Sequence, residues 1–301
     1  MATDPHINFS ALLENAPELP ILQPGFSEAG LRLLVKRARI HIIYFWRHRR
    51  RLNLSKPKRF TELVQARKLH PRNVVISRLI DKIKVKHFVA AQIGRDWVIP
   101  TLWHGTRLPD HPISASPVIV KSSHGCNQYV VFHPETGDWA DIKRKAAKWI
   151  RRPYGRWLDE GYYADVEPAV LIEPFMSPNG DLPVDYKLYV FGGKVAFVQV
   201  HVGRGAHHRW ALFDRGWQRI SKETCSGIGP PISLTDMIEA AEILAANIDF
   251  VRIDFYEIAG KPLFGEMTFY PGSGLDPFYP ECIDAIMGDL WLEAQLKAQI
   301  I

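Results

Sequence analysis

The sequence predicts an α/β protein of the α+β kind, and three observations carry that prediction. Apolar residues recur at helical spacing through the first third; from Ala115 they gather into short runs broken by turns; and Phe250 to Phe269 reads as a hairpin with one polar face. At 301 residues and 47% hydrophobic content the chain can bury a sizeable core and build two or three lobes, which argues against disorder of the whole. No apolar run approaches the roughly 20 residues needed to cross a bilayer, and the start lacks a basic-then-apolar secretion pattern, so a cytoplasmic protein is expected. Cys126, Cys225 and Cys282 are odd in number and widely spaced, which suits a reducing compartment better than a disulfide framework or a CxxC metal site.

Residues 1–30, with Pro5, Pro17, Pro20 and Pro24, read as a loosely structured lead-in. Between Arg32 and Arg59 lie eleven Lys and Arg and no acid, so a chain of net charge +6 is net −5 elsewhere. Leu31, Leu34, Ile42, Phe45 and Trp46 alternate with those cations, as a helix on an anionic membrane surface requires, and peripheral contact with the inner face of the plasma membrane through residues 31–59 is one expectation. A basic helix packed on its own protein is the other. A nucleic-acid partner is not expected, because no nucleic-acid motif accompanies the charge. Helices are predicted over Phe60–Leu69, Asp81–Ile93, Trp139–Ile150 and Leu234–Ile248; strands over Pro117–Val120, Tyr129–Phe132, Ala169–Ile172, Tyr186–Phe191, Val195–Val202, Phe250–Glu257 and Leu263–Phe269. The expected division is an extension over 1–59, a helical or α-β lobe over 60–115, and paired lobes over 116–301 with a hinge near 170–176.

The hairpin is the most informative segment. Side chains alternate across a strand, so Val251, Ile253 and Phe255 share one face and Arg252, Asp254 and Tyr256 the other; Met267 and Phe269 oppose Glu266 and Thr268 in the same way. A three-residue turn centred on Gly260 would pair Ala259 with Lys261 and set Asp254 across from Glu266, about 5 Å apart. Facing carboxylates destabilise a sheet unless something neutralises them, and Mg²⁺ bound by both acids and by phosphate would do so. The plainer reading is an Asp–Arg surface pair beside an unrelated Glu.

Arg-x-Asp followed a dozen residues later by Glu-x-Thr resembles the metal-binding end of ATP-grasp enzymes. Leu52 to Pro57, Asp81-Lys82, Lys121 to Gly125, Asp185-Tyr186-Lys187 and Gly265 to Pro271 resemble the TupA-like branch, named for teichuronopeptide synthesis, over about residues 50–275. The resemblance implies an ATP-grasp fold, two α+β lobes clasping ATP, with Mg²⁺, or Mn²⁺ in its place, as the metal. It implies Asp254, Glu266 and Thr268 as metal ligands, Thr268 standing where many members have Asn. Arg252 and Lys187 would face the transferred phosphoryl or acyl group. Lys82, Lys121, His124 and Gly125 would meet the phosphates, in a loop with less glycine than is usual in the family. Val170 to Met176 resembles the hinge, with Glu173, Phe175 and Met176 at the adenine and Asp185 at the ribose. His201, Arg204, His207, His208 and Arg209 form a cluster suited to an anionic acceptor, and Arg204, His207 and Arg209 are the candidate substrate contacts.

The implied reaction is ATP-dependent joining of a carboxylate and an amine through an acyl phosphate, acting on a cell-surface polysaccharide precursor, lipid-linked in one version. A glycosyltransferase of the same pathways is the main rival, but it should show an Asp-x-Asp pair after a strand, and the strand-rich region has none. A non-catalytic nucleotide-binding module is the third reading.

Overall fold

A computed structural model of the chain describes residues 28–70, 73–152, 154–177, 182–203, 208–221 and 227–300. The lead-in, Cys225, the turn at Pro178 to Gly180, and the candidate contacts Arg204 and His207 lie outside the described residues.

Two antiparallel sheets carry the candidate site. The smaller has the order β1-β4-β2-β3, from Trp103–Gly105 (β1), Val118–Ser122 (β2), Tyr129–Phe132 (β3) and Val170–Pro174 (β4). Its core side buries Val118, Val120, Val170 and Ile172 against Trp139, Ile142 and Ala146 of the basic helix Trp139–Arg151. That helix starts where Asp138 accepts a hydrogen bond from Asp141 N (3.1 Å), an N-cap that satisfies one of the orphan donors of the first turn.

The larger sheet has the order β7-β6-β5-β8-β9: Asp185–Phe191 (β5), Lys194–Val202 (β6), Arg209–Asp214 (β7), Phe250–Ile258 (β8) and Lys261–Thr268 (β9). Its apolar face buries Leu188, Val190, Val198, Val251, Ile253 and Phe255, and the helix Leu234–Leu244 adds Met237, Ala241 and Leu244 to that core. The sheet's other face is lined by Asp185, Lys187, Arg252, Asp254 and Glu266. Helices Phe60–Arg67 and Cys282–Ile300 meet around an aromatic cluster in which Phe60 packs 4.9 Å from Phe250 and 5.6 Å from Trp291. The helix expected over Asp81–Ile93 begins three residues later, at Lys84, and a separate short helix, Val74–Ile80, precedes it; between them Asp81 leaves helical geometry and its carboxylate accepts from Ile83 N (2.9 Å), which turns the chain.

The basic segment forms a helix over Glu28–His48, hereafter α1. Ile40 and Tyr44 are buried on the protein, Arg39 pairs with Asp159, and beyond the helix Arg50 reaches Glu281 (2.9 Å) and Asp284. One side of α1 therefore packs on its own chain, as the second expectation held.

Candidate functional site

The β8–β9 hairpin sets Asp254 opposite Glu266, as the sequence predicted, but by a different route. The turn has two residues, Ala259 and Gly260, both with positive φ (51° and 74°), and Ile258 pairs with Lys261. A bulge then leaves Gly265 unpaired, with Phe255 opposite Phe264 and Asp254 opposite Glu266. Without the bulge Glu266 would face the core beside Ile253. With it, Phe264 stays in the core and Glu266 joins the polar face. A side chain at 265 would lie 3.0 Å from Asp254 O and 3.2 Å from the Tyr256 ring, so the close approach favours glycine.

On that face a run of charges crosses three neighbouring strands. Lys187 on β5 stands opposite Asp254 and pairs with it and with Asp185 (2.6 Å). Arg252 holds both Asp254 oxygens in a fork, Nε to Oδ1 and NH2 to Oδ2, each 2.7 Å. Burial works against the Asp254 carboxylate, but Arg252 and Lys187 outweigh it and bring the pKa down to about 2. Burial likewise opposes the Lys187 ammonium, and Asp185 and Asp254 overcome it, raising its pKa. Glu266 is also held below the usual carboxylate range: burial resists, and Lys82, Lys187 and Arg252 prevail over the like charge of Asp254.

This face opens into a cleft between the two sheets. Lys82, Lys121, Gly125, Glu173, Phe175, Met176, Asp185, Asp254 and Glu266 all border it, so nine predicted residues from distant parts of the chain converge. Lys82 Nζ donates to Gly125 O (2.6 Å) and lies 3.6 Å from Glu266. Lys121 Nζ is 2.7 Å from Glu173, whose other oxygen meets Lys86. The Glu173 carboxyl is buried, which alone would raise its pKa, yet two lysines lower it; Lys86, sharing that single carboxylate, is shifted down by its own burial. In the segment expected to form the hinge, Phe175 N donates to Pro117 O and Ser177 N to Phe175 O, so Met176 sits between two committed amides.

Three expectations need correction. His124 does not border the cleft: its ring is buried, with Nε2 3.1 Å from Trp149 O, because the turn after β2 points it toward the basic helix. Thr268 is not at the cleft either; its hydroxyl lies 3.3 Å from both Arg252 NH2 and Glu266 Oε1, bridging the two. Glu173, expected at the adenine amine, has its carboxylate occupied by Lys86 and Lys121. Lys86 escaped sequence reasoning, since what ties it to the site is its contact with Glu173 across the fold.

Beyond Arg252 lies a second cavity, bordered by Tyr189, Gln199, His201, His208, Trp210, Asp276 and Tyr279. His201 Nδ1 is 2.8 Å from His208 Nε2, with the rings stacked. Burial, then the charges of Lys187 and Arg252, lower His201 to about 2 and keep it neutral. Arg209 lies on β7 beside this cavity, paired in register with Val202, but does not border it.

The sequence model of the TupA-like ATPgrasp family matches residues 62–292. The chain belongs to that family. With membership come the ATP-grasp fold and the enzyme class the sequence predicted. The family match begins after the basic helix, so the TupA-like core is 62–292 and α1 stands outside it. Among solved structures, D-alanine–D-alanine ligase from Bacillus anthracis complexed with ATP is 14% identical, covering 74% of this chain and 67% of its own, with a TM-score of 0.47. ATP-grasp ligase PsnB, complexed with a phosphomimetic variant of minimal precursor, Mg and ADP, is 12% identical over 79% of this chain and 65% of its own (TM-score 0.43). D-cycloserine synthetase DcsG is 16% identical over 73% and 71% (TM-score 0.41). The chain thus spans about two thirds of the length of these structures. No curated protein matches it significantly.

Proposed function

We propose that this TupA-like protein is an ATP- and Mg²⁺-dependent carboxylate–amine ligase that works through an acyl phosphate. The observation that carries the reading is the charge run Glu266–Asp254–Lys187–Arg252, bordered by the cleft on one side and the second cavity on the other. Lys82, from the segment before the helix Lys84–Ile93, and Lys121, from the small sheet, both reach the cleft and suit the ATP phosphates. Asp254 and Glu266 are hard oxygen donors kept ionised, a donor set that fits Mg²⁺ shared with phosphate, and Mn²⁺ has the same preference. When bound, the metal supplies charge neutralisation on the phosphates.

The chain's own residues do the rest. The backbone at Met176 meets the adenine edge, Asp185 the ribose, and the substrate carboxylate sits in the second cavity against Arg252. Its guanidinium, already in place and buried, stabilises the anion that develops as phosphoryl passes to the carboxylate, and Lys187 keeps Asp254 and Arg252 in register. Amine attack on the acyl phosphate then releases phosphate. The acceptor is taken to be a polysaccharide precursor, lipid-linked, handled in the cytoplasm at the inner face of the plasma membrane; Trp210 and Tyr279 suit a sugar face.

The test is ADP release from Mg·ATP with pools of uronic acids, amino acids and amines. Release should need both a carboxylate and an amine, and Glu266→Gln should lower it at least about 100-fold with the fold intact. Release that is indifferent to carboxylate, or full activity in Glu266→Gln, sinks the proposal.

A further inference from the structure

The outward side of α1 is apolar. At about 100° per residue, Leu33, Ile40 and Tyr44 fall within about 40° of one line along the helix, the side packed on the protein. Leu31, Leu34, Val35, Ile42, Phe45 and Trp46 fall within about 60° of the opposite line, and each is between 52% and 69% exposed. Arg37 and His41 border this stripe on one side and Arg32 and Arg39, the latter paired with Asp159, on the other, with exposed Arg49 and Arg51 past its end. On the Arg39 side a groove runs from Leu31 and Val35 to Arg156, and the next residue, Trp157, is 74% exposed.

We propose that this face docks on an anionic bilayer surface, α1 lying in the interface plane with its stripe in the acyl boundary and its flanking cations among the headgroups. An apolar band edged by cations on both sides is what such a surface demands, and exposed Trp157, next in sequence to the groove residue Arg156, adds an aromatic suited to the interface. Charge complementarity favours an anionic occupant over a second copy of the chain. A second copy of the chain would bring like-charged faces together, with exposed Arg37, Arg49 and Arg51 on each. A rival occupant within the chain is residues 1–27, which carry Asp4, Glu14 and Glu18 and no Lys or Arg. No helix among the described residues is long and apolar enough to cross a membrane. The inference deepens the location named above and rests on none of its chemistry.

The experiment is flotation of the full chain with phosphatidylcholine vesicles, with and without phosphatidylglycerol, alongside its oligomeric state in solution. The protein should float with the anionic vesicles, release at high salt, and lose at least about tenfold in partitioning in the Ile42→Ser, Phe45→Ser, Trp46→Ser variant while its thermal melt is unchanged. Any of four results overturns the proposal: no flotation of the wild type, equal flotation of the variant, a dimer that the variant dissolves, or binding that appears only after residues 1–27 are removed. Because vesicle binding is read without turnover, this inference and the ligase reading fail separately.

Discussion

His201 is a neutral imidazole set beside two fixed cations. Its folded pKa, about 2, lies far below the ordinary 6.5, so between those values the unfolded chain binds a proton that the folded protein refuses. The stability it contributes is therefore present above pH 6.5 and is lost as pH falls. His48, His70 and His124 are shifted down by burial as well and act in the same direction. Chemical denaturation at several pH values should show stability falling below pH 6.5, and His201→Gln should flatten the slope by about one proton; an unchanged slope contradicts this. Asp254 obeys the same sign at lower pH, its contribution fading only from about 3.8 toward about 2. Nine of the residues bordering the cleft were legible, six of them charged groups at fixed offsets in short motifs. Lys86, Trp210 and Tyr279 were not, since what makes them site residues is contact across the fold. His124 misled because a loop sequence does not say which way its ring points.

Among the elements, strands with alternating patterns or apolar runs were found within a few residues of their ends. β1, three residues long, offers no period to read, and β7 was not assigned, its Trp210-Ala211-Leu212-Phe213 run following directly on the basic stretch His207 to Arg209. The helix Cys282–Ile300 was passed over although it supplies Trp291 and Met287 to the core. Its Gly288 explains how it packs. A methyl group there would fall 1.9 Å from Lys58 O, so the helix crosses the preceding segment backbone to backbone. In an ordinary exposed helix Gly→Ala stabilises by about 1 kcal/mol. Here Gly288→Ala should lower the denaturation midpoint, and a rise would show that the contact yields. Phe60→Ala in the neighbouring helix should cost about 3–5 kcal/mol, since Phe60 is 1% exposed and touches five aromatic rings.

For the whole molecule, the cleft draws one wall from the small sheet and the other from the large one, with Lys82 and Lys86 reaching in from the helical segment between Ile80 and Gly94. A ligand bridging those walls stabilises both together. Mg·ATP at about 100 times its dissociation constant should raise unfolding free energy by about 2.7 kcal/mol, read as a thermal shift, and Lys121→Ala with Lys82→Ala should remove most of it; a full shift in the double variant would mean that the nucleotide binds elsewhere. The two-lobed arrangement was readable as a resemblance, whereas the meeting of the walls was not, because it depends on how the sheets pack. The hairpin has a consequence for assembly of the whole. Either regular pairing of β8 with β9 would satisfy only one of Phe264 and Glu266, stranding an aromatic ring in water or a carboxylate in the core. Only the strand with Gly265 pushed out of line settles both, so a slipped hairpin is penalised in whichever direction it slides. The kink therefore acts as a proofreader: the chain reaches its working chemistry and its packed interior in one step, or neither.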